Sequence, residues 1–237
     1  MERQEQQTMI QAILWDVDAT LLDFHAAEKA AIHKLFQQFH LGECSEAMLL
    51  RYAKINRGYW ERLEKGELTR EQVLVGRFQE FFEKENLDVS AAPAFNEAYQ
   101  SALGDTIVYR DDSYQIIDSL RGKVKQYVVS NGTIVAQEKK LRLSGLGALM
   151  DGVFLSEELG VEKPNKEFFD KVFAQIEELD REKVMIVGDS LTSDIRGGNN
   201  AGIRTCWYNP GHTAPLEDVH IDYEITDLHE VYDLLKK

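Results

Sequence analysis

The sequence predicts an α/β fold in which a mostly parallel sheet carries helices on both faces and a four-helix domain is inserted after the first strand. Over residues 107–237, short apolar runs alternate with helical patterns, as in strand–helix–strand units. The apolar run at residues 13–15 ends at acidic residues, which is typical of a buried strand that stops at a polar site. Residues 24–106 have helical periodicity and no convincing strand. We therefore expect a core domain at 1–23 and 107–237 and an inserted domain at 24–106.

Composition narrows the class of protein. The chain has 237 residues, 43% hydrophobic and 29% charged, which suits a globular protein with a sizeable core. A formal net charge of -14 argues against binding of nucleic-acid polymers, which require basic surface. Cys44 and Cys206 lie far apart, so we expect free thiols in a reducing compartment. The polar residues 1–7 lack the apolar segment of a signal peptide, and no apolar run approaches membrane-spanning length. We expect a cytoplasmic protein that does not bind membranes.

The inserted region is predicted to contain four helices, because four apolar stripes with helical spacing follow one another. Residues 69–72 have the form of a capping box and should open the third helix. Pro93 suits the first turn of the fourth helix. The apolar residues of the four stripes are Ile32, Leu35, Phe36 and Phe39; Leu49, Tyr52, Ile55, Tyr59 and Leu63; Leu74, Phe78, Phe81 and Phe82; and Phe95, Ala98, Tyr99 and Ala102.

The elements of the predicted core alternate in type along the chain. Ligands of open parallel sheets bind beyond the carboxyl ends of the strands, so the residues that follow each strand are the candidates for a site. After the first strand, we expect strands at 126–130, 153–155, 183–187, 203–207 and 223–225, and helices at 112–121, after 133, at 165–176, at 191–201 and at 227–235.

Two aspartates follow the first strand. In a strand, residues two apart point to the same face, so Asp16 and Asp18 are expected to direct their carboxylates into one small volume. Two such carboxylates repel each other unless a cation or a shared proton lies between them. An acidic turn after a strand is the simpler interpretation of this pair taken alone. The second strand is followed by Ser130, Asn131 and Gly132, which could cap a helix or bind phosphate through a hydroxyl and backbone N–H groups.

Further polar groups follow the later strands. Lys163 precedes a proline, and Asp189 lies between Gly188 and Ser190 with Asp194 five residues further on. Taken singly, these are a surface lysine and turn or helix-start acids. Their joint occurrence at strand ends of one sheet favours phosphoryl chemistry instead. Asp16, Asp18 and Asp189 would hold Mg²⁺, which prefers oxygen ligands, while Lys163 would offset the charge of the acids and of a phosphate.

In these motifs the chain resembles the haloacid dehalogenase-like hydrolases, a superfamily made up mostly of phosphatases with a Rossmann-like core. All four family motifs occur in order, namely residues 16–20, Ser130, Lys163, and residues 188–190 with Asp194. The helical insert after the first motif is similar to the family's helical cap domain. Position 19, where glycine is frequent in the family, is Ala19, which we interpret as variation within a subgroup.

The resemblance implies a mechanism. Asp16 would be the nucleophile that forms an aspartyl-phosphate, and Asp18 the general acid and then base. Mg²⁺ would be held by Asp16, the backbone carbonyl of Asp18, and Asp189. Asp194 and Thr20 would support these groups. The family members that cleave carbon–halogen bonds lack the second aspartate, so Asp18 favours phosphate ester hydrolysis.

Four segments of the chain are most similar in sequence to the nucleoside 5′-monophosphatases that act on pyrimidine nucleotides, including noncanonical ones. These segments are residues 16–24, 55–60, 188–195 and 206–210. Phosphatases for phosphoglycolate, sugar phosphates or sialic acid 9-phosphate, and phosphomutases, remain alternatives within the family. A receiver-like signalling domain is the alternative from another class, but such domains carry no helical cap and place their acid pair on a different strand from the phosphorylated aspartate.

Substrate selection is expected to depend on the inserted domain, which would close over the site as a lid. Tyr59, Trp60 and Lys65 are the candidates, with stacking of an aromatic ring on a base for the first two. Packing inside the inserted domain is the alternative role for these two rings. We expect a small-molecule phosphate monoester as the only partner, and a monomeric protein with a homodimer as the alternative.

Overall fold

The computed structural model describes residues 9–176 and 179–236, so the polar stretch 1–7 lies outside the described residues. Six strands form one sheet in the order β3-β2-β1-β4-β5-β6, and every pairing between neighbouring strands is parallel. The predicted parallel α/β fold is therefore confirmed. The strands are β1 (Ala12–Trp15), β2 (Lys125–Ser130), β3 (Gly152–Leu155), β4 (Val184–Gly188), β5 (Arg204–Tyr208) and β6 (Tyr223–Ile225).

Helices connect the strands and fill the region after β1. The α-helices are α1 (Phe24–Gln38), α2 (Glu46–Glu64), α3 (Arg70–Lys84), α4 (Ala92–Ala102), α5 (Ser113–Leu120), α6 (Ile134–Ser144), α7 (Ser156–Leu159), α8 (Lys166–Phe173), α9 (Arg196–Ala201) and α10 (Val231–Leu234). A π-helical turn at Leu191–Ile195 precedes α9, and 3-10 turns lie at Val89–Ala91, Leu146–Leu149, Arg181–Lys183 and Leu228–Glu230.

Two of the predicted helices differ from the observed ones. The predicted helix at 165–176 starts at Asn165, whose side chain caps it, but α8 ends at Phe173. The predicted helix at 191–201 divides into the π-helical turn and α9. Within the described residues, no helix is both long enough and apolar enough to cross a membrane. Cys44 and Cys206 are free, as expected, and both are buried.

The sheet is covered on both faces at its centre. All four residues of β1 are fully buried, as expected for a central strand of a parallel sheet. Ala12 and Leu14 belong to one hydrophobic cluster with Phe168 and Phe169 of α8. Because side chains alternate along a strand, Ile13 points to the opposite face. The two-sided burial explains why β1 appears in the sequence as a continuous apolar run.

The described residues form two compact units. The first consists of the chain up to Asp23, Tyr109–Gly132 and the chain from Ser144 onward, and it contains the sheet. The second consists of Phe24–Val108 and Thr133–Leu143. The second unit therefore includes α1 to α4 and nearly all of α6.

Aromatic packing builds the core of the second unit. Tyr52 stacks on Phe78 with ring centroids 4.9 Å apart, and Phe95 contacts Phe78 and Phe82 at 5.0 Å each. The predicted capping box is confirmed, because the side chains of Thr69 and Gln72 each bond the backbone N–H of the other.

The buried face of α3 is rotated slightly about the helix axis relative to the predicted buried face. Val73 is fully buried, whereas Leu74, which was predicted to face inward, is only half-buried. The reason is Arg77, a buried residue one helical turn after Val73. Because charged residues are usually exposed, the sequence pattern placed the buried face around the apolar residues alone.

Arg77 belongs to a buried polar network that the sequence did not reveal. Its guanidinium donates to Asn56 Oδ1 at 2.7 Å and to Asn96 Oδ1 at 3.3 Å. Asn56 in turn donates to Glu28 Oε1 at 3.0 Å and accepts from Trp60 Nε1 at 3.0 Å. Buried polar groups need such partners, since an unsatisfied donor or acceptor costs about 1–3 kcal/mol. The network thus links α1, α2, α3 and α4 through hydrogen bonds.

Candidate active site

The sheet order brings the predicted site residues together. β1 lies between β2 and β4, with Trp15 paired to Val128 and to Val187. The polar residues that follow these three strands therefore lie at one edge of the sheet, where the strand order changes direction and where ligands of such sheets bind. Asp16 extends the ladder by one step, because its N–H donates to Val187 C=O at 3.0 Å.

The chain turns sharply after Asp16. The N–H groups of Leu21 and Leu22 both donate to the carbonyl of Val17, at 3.0 and 2.9 Å. Ala19, at the tip of this turn, has a φ of 67°. The left-handed conformation costs a non-glycine residue roughly 1–2 kcal/mol. The structure therefore explains why glycine suits this position, and it shows that the turn forms with alanine.

Lys163 lies at the centre of the site and is 1% exposed. Its ammonium group donates to Asp16 Oδ1 at 2.9 Å, to Asp194 Oδ1 at 2.7 Å and to the carbonyl of Val129 at 2.8 Å. An ammonium group has three N–H donors, so these three bonds use its full capacity. The alternative interpretation of Lys163 as a solvated surface lysine is wrong.

Asp194 is held against the backbone at the end of β4. Its Oδ2 accepts from the N–H of Ser190 at 3.1 Å. A Cβ atom on Gly188 would lie 2.3 Å from the Asp194 carboxyl group, a distance that no side chain tolerates. Gly188 is therefore required for the close approach of Asp194, which the sequence pattern alone did not reveal.

Thr20 connects two of the acids. Its hydroxyl donates to Asp16 Oδ2 at 3.1 Å and accepts from the backbone N–H of Asp189 at 3.1 Å. The Nε1 group of Trp207 donates to the carbonyl of Asp189 at 2.9 Å and holds the backbone from the other side. Asp16 and Asp189 are therefore kept near each other by hydrogen bonds to neutral groups.

The loop after β2 contains the predicted phosphate-binding residues. Ser130 is 2% exposed, and its Oγ accepts from the N–H of Gly132 at 3.0 Å. The side chain of Asn131 bonds the backbone of Lys163 in both directions, at 2.9 Å each. Phosphate binding by Ser130, Asn131 and Gly132 stays a prediction.

Burial and mutual repulsion shift the acids of the site. Burial raises the pKa of Asp16 to about 7, although Lys163 acts to lower it. The negative charges of Asp194 and Asp18 add to the rise. Burial also raises the pKa of Asp189 well above its usual range, and the charges of Asp16 and Asp194 act in the same direction. Burial alone would lower the pKa of Lys163, but the two carboxylates beside it raise it above the ordinary lysine value.

Three carboxylates of this site fit a divalent cation. Asp16, Asp189 and Asp194 each offer an oxygen, and these oxygens lie within 4.8 Å of one another. Hard cations such as Mg²⁺ prefer this oxygen donor set, and a cation would relieve the repulsion that raises the pKa values of Asp16 and Asp189. The sequence-based assignment named Asp18 in place of Asp194, through its backbone carbonyl. Both oxygens of Asp194 accept hydrogen bonds, from Lys163 and from the N–H of Ser190, so this carboxylate also holds the lysine in place.

The three specificity candidates belong to the second unit. Tyr59 packs against the core of that unit, where a Cβ on Gly76 would lie 2.8 Å from its ring. Trp60 is half-buried and donates to Asn56, and the guanidinium of Arg77 lies 5.8 Å from its ring centroid. Lys65 ends α2 with an exposed side chain. Packing thus explains Tyr59, and the part of these residues in selecting a substrate stays a prediction.

Comparison with known proteins gives a consistent result. A model of the haloacid dehalogenase-like hydrolase family matches residues 10–202. The chain is 36% identical over 223 residues to the HAD-hydrolase YfnB of Bacillus subtilis, covering 94% of both chains. A crystal structure of YfnB bound to magnesium matches with a TM-score of 0.90 and 35% identity, covering 97% of this chain and 100% of that one.

Two further relatives are pyrimidine 5'-nucleotidases by name. PynA of Streptococcus pneumoniae is 33% identical over 228 residues, covering 95% of this chain and 94% of the relative. YjjG of Escherichia coli is 32% identical over 225 residues, covering 95% of this chain and 97% of the relative. The similarity therefore extends through both units of the fold.

Proposed function

The chain belongs to the haloacid dehalogenase-like hydrolase family, and on this premise we propose that it is a magnesium-dependent phosphatase that acts on pyrimidine nucleoside 5′-monophosphates. The observation that carries the proposal is the carboxylate of Asp16, which is bonded to Lys163 on one oxygen and to Thr20 on the other. A carboxylate fixed in this way beside a buried cation suits nucleophilic attack on phosphorus.

The proposed reaction begins at Asp16. Its carboxylate attacks the phosphorus atom of the monoester, the bond to the leaving oxygen breaks, and an aspartyl-phosphate forms. Asp18 donates a proton to the leaving oxygen. Asp18 then removes a proton from the water that hydrolyses the aspartyl-phosphate, and free phosphate is released. The second aspartate distinguishes this chemistry from that of the carbon–halogen hydrolases of the same fold.

Lys163 and the loop after β2 have supporting roles in this proposal. The ammonium group of Lys163 keeps Asp16 in place and offsets the negative charge of the phosphoryl group. Ser130 and the backbone N–H groups of the loop that follows would donate hydrogen bonds to phosphate oxygens. Such donors stabilise charge that moves onto these oxygens in the transition state.

Mg²⁺ is the cofactor of this proposal. Asp16 and Asp189, with the backbone carbonyl of Asp18, would hold it, and Asp194 would keep Lys163 beside them. When bound, Mg²⁺ neutralises negative charge on the transferring phosphoryl group. The raised pKa of Asp16 is consistent with this assignment, since a cation beside Asp16 would favour the ionised carboxylate that the attack requires.

The nucleotide substrate is supported by the two relatives that are pyrimidine 5'-nucleotidases, at 33% and 32% identity. A phosphate-release screen of the purified protein with Mg²⁺ tests the proposal. The panel consists of UMP, dUMP, dTMP, halogenated pyrimidine nucleotides, phosphoglycolate and several sugar phosphates, with EDTA as the metal-free control. We expect the highest kcat/KM for pyrimidine nucleoside monophosphates.

Each alternative gives a different result in this screen. A preference for sugar phosphates over every nucleotide would overturn the nucleotidase assignment and leave a phosphatase. A phosphomutase would isomerise its substrate with little release of phosphate. A receiver-like domain would show no steady-state turnover of p-nitrophenyl phosphate. Equal activity in Mg²⁺ and in EDTA would remove the metal from the proposal.

A further inference from the structure

The side chain of Asn131 makes a two-bond clamp on the backbone of Lys163. Its Nδ2 donates to the carbonyl of Lys163 at 2.9 Å, and its Oδ1 accepts from the N–H of the same residue at 2.9 Å. A second N–H of Nδ2 reaches Ser193 Oγ at 3.4 Å. The amide orientation follows from the partners, because an N–H and a carbonyl of one residue face it. Asn131 therefore links the loop after β2 to the segment that carries Lys163 and to the π-helical turn at Leu191–Ile195.

The clamp acts at the residue whose position matters most. The ammonium group of Lys163 reaches three acceptors on three segments, at Asp16, Asp194 and Val129. A lysine side chain has four rotatable bonds and ends in a compact charge, so it has little intrinsic preference for direction. To satisfy all three acceptors at once, its backbone must lie at a set distance from them. The clamp from the loop after β2 sets that distance.

We propose that Asn131 is a positioning residue, whose side chain holds the backbone of Lys163 so that the ammonium group lies against the nucleophile Asp16. The proposal rests on the proposed phosphatase function, because it assigns Asn131 a role through Lys163 in phosphoryl transfer. It gives this side chain a task different from direct contact with the phosphate. Supporting residues of this kind typically change activity by about 10–100-fold when they are removed.

A double-mutant cycle separates the two roles. The variants are Asn131→Ala, Lys163→Met and the pair, assayed with p-nitrophenyl phosphate and Mg²⁺. We expect Asn131→Ala to lower kcat/KM by about 10–100-fold in the wild-type background. In the Lys163→Met background, where no ammonium group remains to be placed, we expect the same substitution to change kcat/KM by less than about twofold. An equal loss in both backgrounds would show that Asn131 acts independently of Lys163 and would overturn the proposal.

A second readout does not depend on turnover. The urea midpoint of the metal-free variants should be non-additive, because misplacement of the ammonium group matters only while Lys163 carries it. Additive midpoints would count against the clamp. If wild-type protein releases no phosphate while the midpoints are non-additive, the phosphatase function fails and the clamp stands.

Two further variants serve as controls. Ser193→Ala removes the hydrogen bond of 3.4 Å from Asn131 but keeps both bonds to Lys163, so we expect a smaller loss than for Asn131→Ala. Asn131→Asp keeps the acceptor for the Lys163 N–H, but it removes both N–H donors and turns a negatively charged oxygen toward the Lys163 carbonyl. It replaces Asn131→Ala in the cycle if the alanine variant fails to fold. A loss from Ser193→Ala that equals the loss from Asn131→Ala would assign the effect to the Ser193 contact.

Discussion

The ammonium group of Lys163 lies 2.9 Å from Asp16 Oδ1, and the two residues form a buried ion pair. Asp194 approaches the same ammonium group at 2.7 Å, so one positive charge faces two carboxylates. Lys163 comes from a loop, whereas Asp16, the proposed nucleophile, directly follows β1. Because opposite charges in a buried site interact strongly, Lys163 stabilises the ionised form of Asp16 against the effect of burial.

Substitution of Lys163 by methionine should therefore destabilise the protein. The change leaves Asp16 and Asp194 buried without their cation, and we expect the free energy of unfolding in EDTA to fall by about 3 kcal/mol. The loss should be larger at pH 8 than at pH 5.5, because protonation of Asp16, whose pKa is about 7, removes one of the two unpaired charges at the lower pH. Urea denaturation at the two pH values measures this. Lys84→Met, at an exposed lysine that pairs with Glu80, is the control and should cost less than about 0.5 kcal/mol. Equal losses for the two lysines would contradict the assignment of a buried pair.

The raised pKa of Asp16 predicts how stability depends on pH in metal-free protein. Asp16 has a pKa of about 7 in the folded state against an ordinary value of 3.8, so between these values the folded state binds more protons than the unfolded state. Its stabilising contribution is therefore complete below about pH 4 and is lost as the pH rises through 7. The shift corresponds to about 4 kcal/mol, or a slope of about 1.4 kcal/mol per pH unit inside this window.

The matched variant for this measurement is Asp16→Asn, which cannot titrate. Urea denaturation in EDTA from pH 4.5 to 7.5 measures the free energy of unfolding. It should fall more steeply with pH in the wild type than in the variant, by about 1.4 kcal/mol per pH unit, the slope that corresponds to one bound proton. The difference between the two curves removes the contribution of the titratable groups that do not interact with Asp16; it keeps that of Asp189, whose pKa the charge of Asp16 also raises. Parallel curves would show that the pKa of Asp16 is not raised in the folded protein.

Substitutions at the two aspartates after β1 should separate their roles in turnover. Asp16→Asn removes the nucleophile, and we expect kcat to fall by about a thousandfold or more while the circular dichroism spectrum stays unchanged. Asp18→Asn should slow turnover by about 10²–10⁴-fold, the contribution of a general acid or base, and should leave Mg²⁺ binding in a calorimetric titration largely intact. Asp118→Asn, at an exposed helical position, is the control. Retained phosphatase activity in Asp16→Asn would remove Asp16 as nucleophile, and loss of Mg²⁺ binding in Asp18→Asn would indicate a ligand carboxylate.

The sequence predicted the sheet and the residues at its strand ends because these signals are local. An apolar run that stops at an aspartate, as at Asp16 and Asp189, indicates both a strand and its end. Parallel pairing followed from the alternation of strands and helices. The neighbours of β1 did not follow from periodicity, and the shared edge of the sheet depends on that order.

Polar contacts between residues far apart in the chain could not be predicted from the sequence patterns. Asn131 and Lys163 lie 32 positions apart, and no periodicity connects them. The burial of Arg77 did not follow from the sequence pattern, because most arginines are exposed and its partners Asn56 and Asn96 lie on other helices. Side-chain pairs of this kind depend on tertiary packing rather than on local preference.

The left-handed conformation of Ala19 predicts a stabilising substitution. Ala19→Gly relieves strain of roughly 1–2 kcal/mol but adds freedom to the unfolded chain, so we expect a net gain of about 0.5–1 kcal/mol in the free energy of unfolding. Ala30→Gly, inside α1, is the matched control and should destabilise by about 0.5–1 kcal/mol. Thermal unfolding of the two variants should therefore shift in opposite directions. A loss of stability in Ala19→Gly would show that the turn is not strained.

Gly188 should tolerate no side chain, because its neighbour Asp194 occupies the space. A Cβ at position 188 would lie 2.3 Å from the Asp194 carboxyl group, so Gly188→Ala must displace Asp194 from Lys163 or from the N–H of Ser190. We expect a loss of about 1–3 kcal/mol in stability together with a loss of phosphatase activity, since the displaced carboxylate no longer orients the lysine. Gly58→Ala, at a helical glycine with nothing within 4 Å of the added Cβ, is the control and should stabilise α2 by about 0.5–1 kcal/mol. Unchanged activity in Gly188→Ala would show that Asp194 is not needed to hold Lys163 against Asp16.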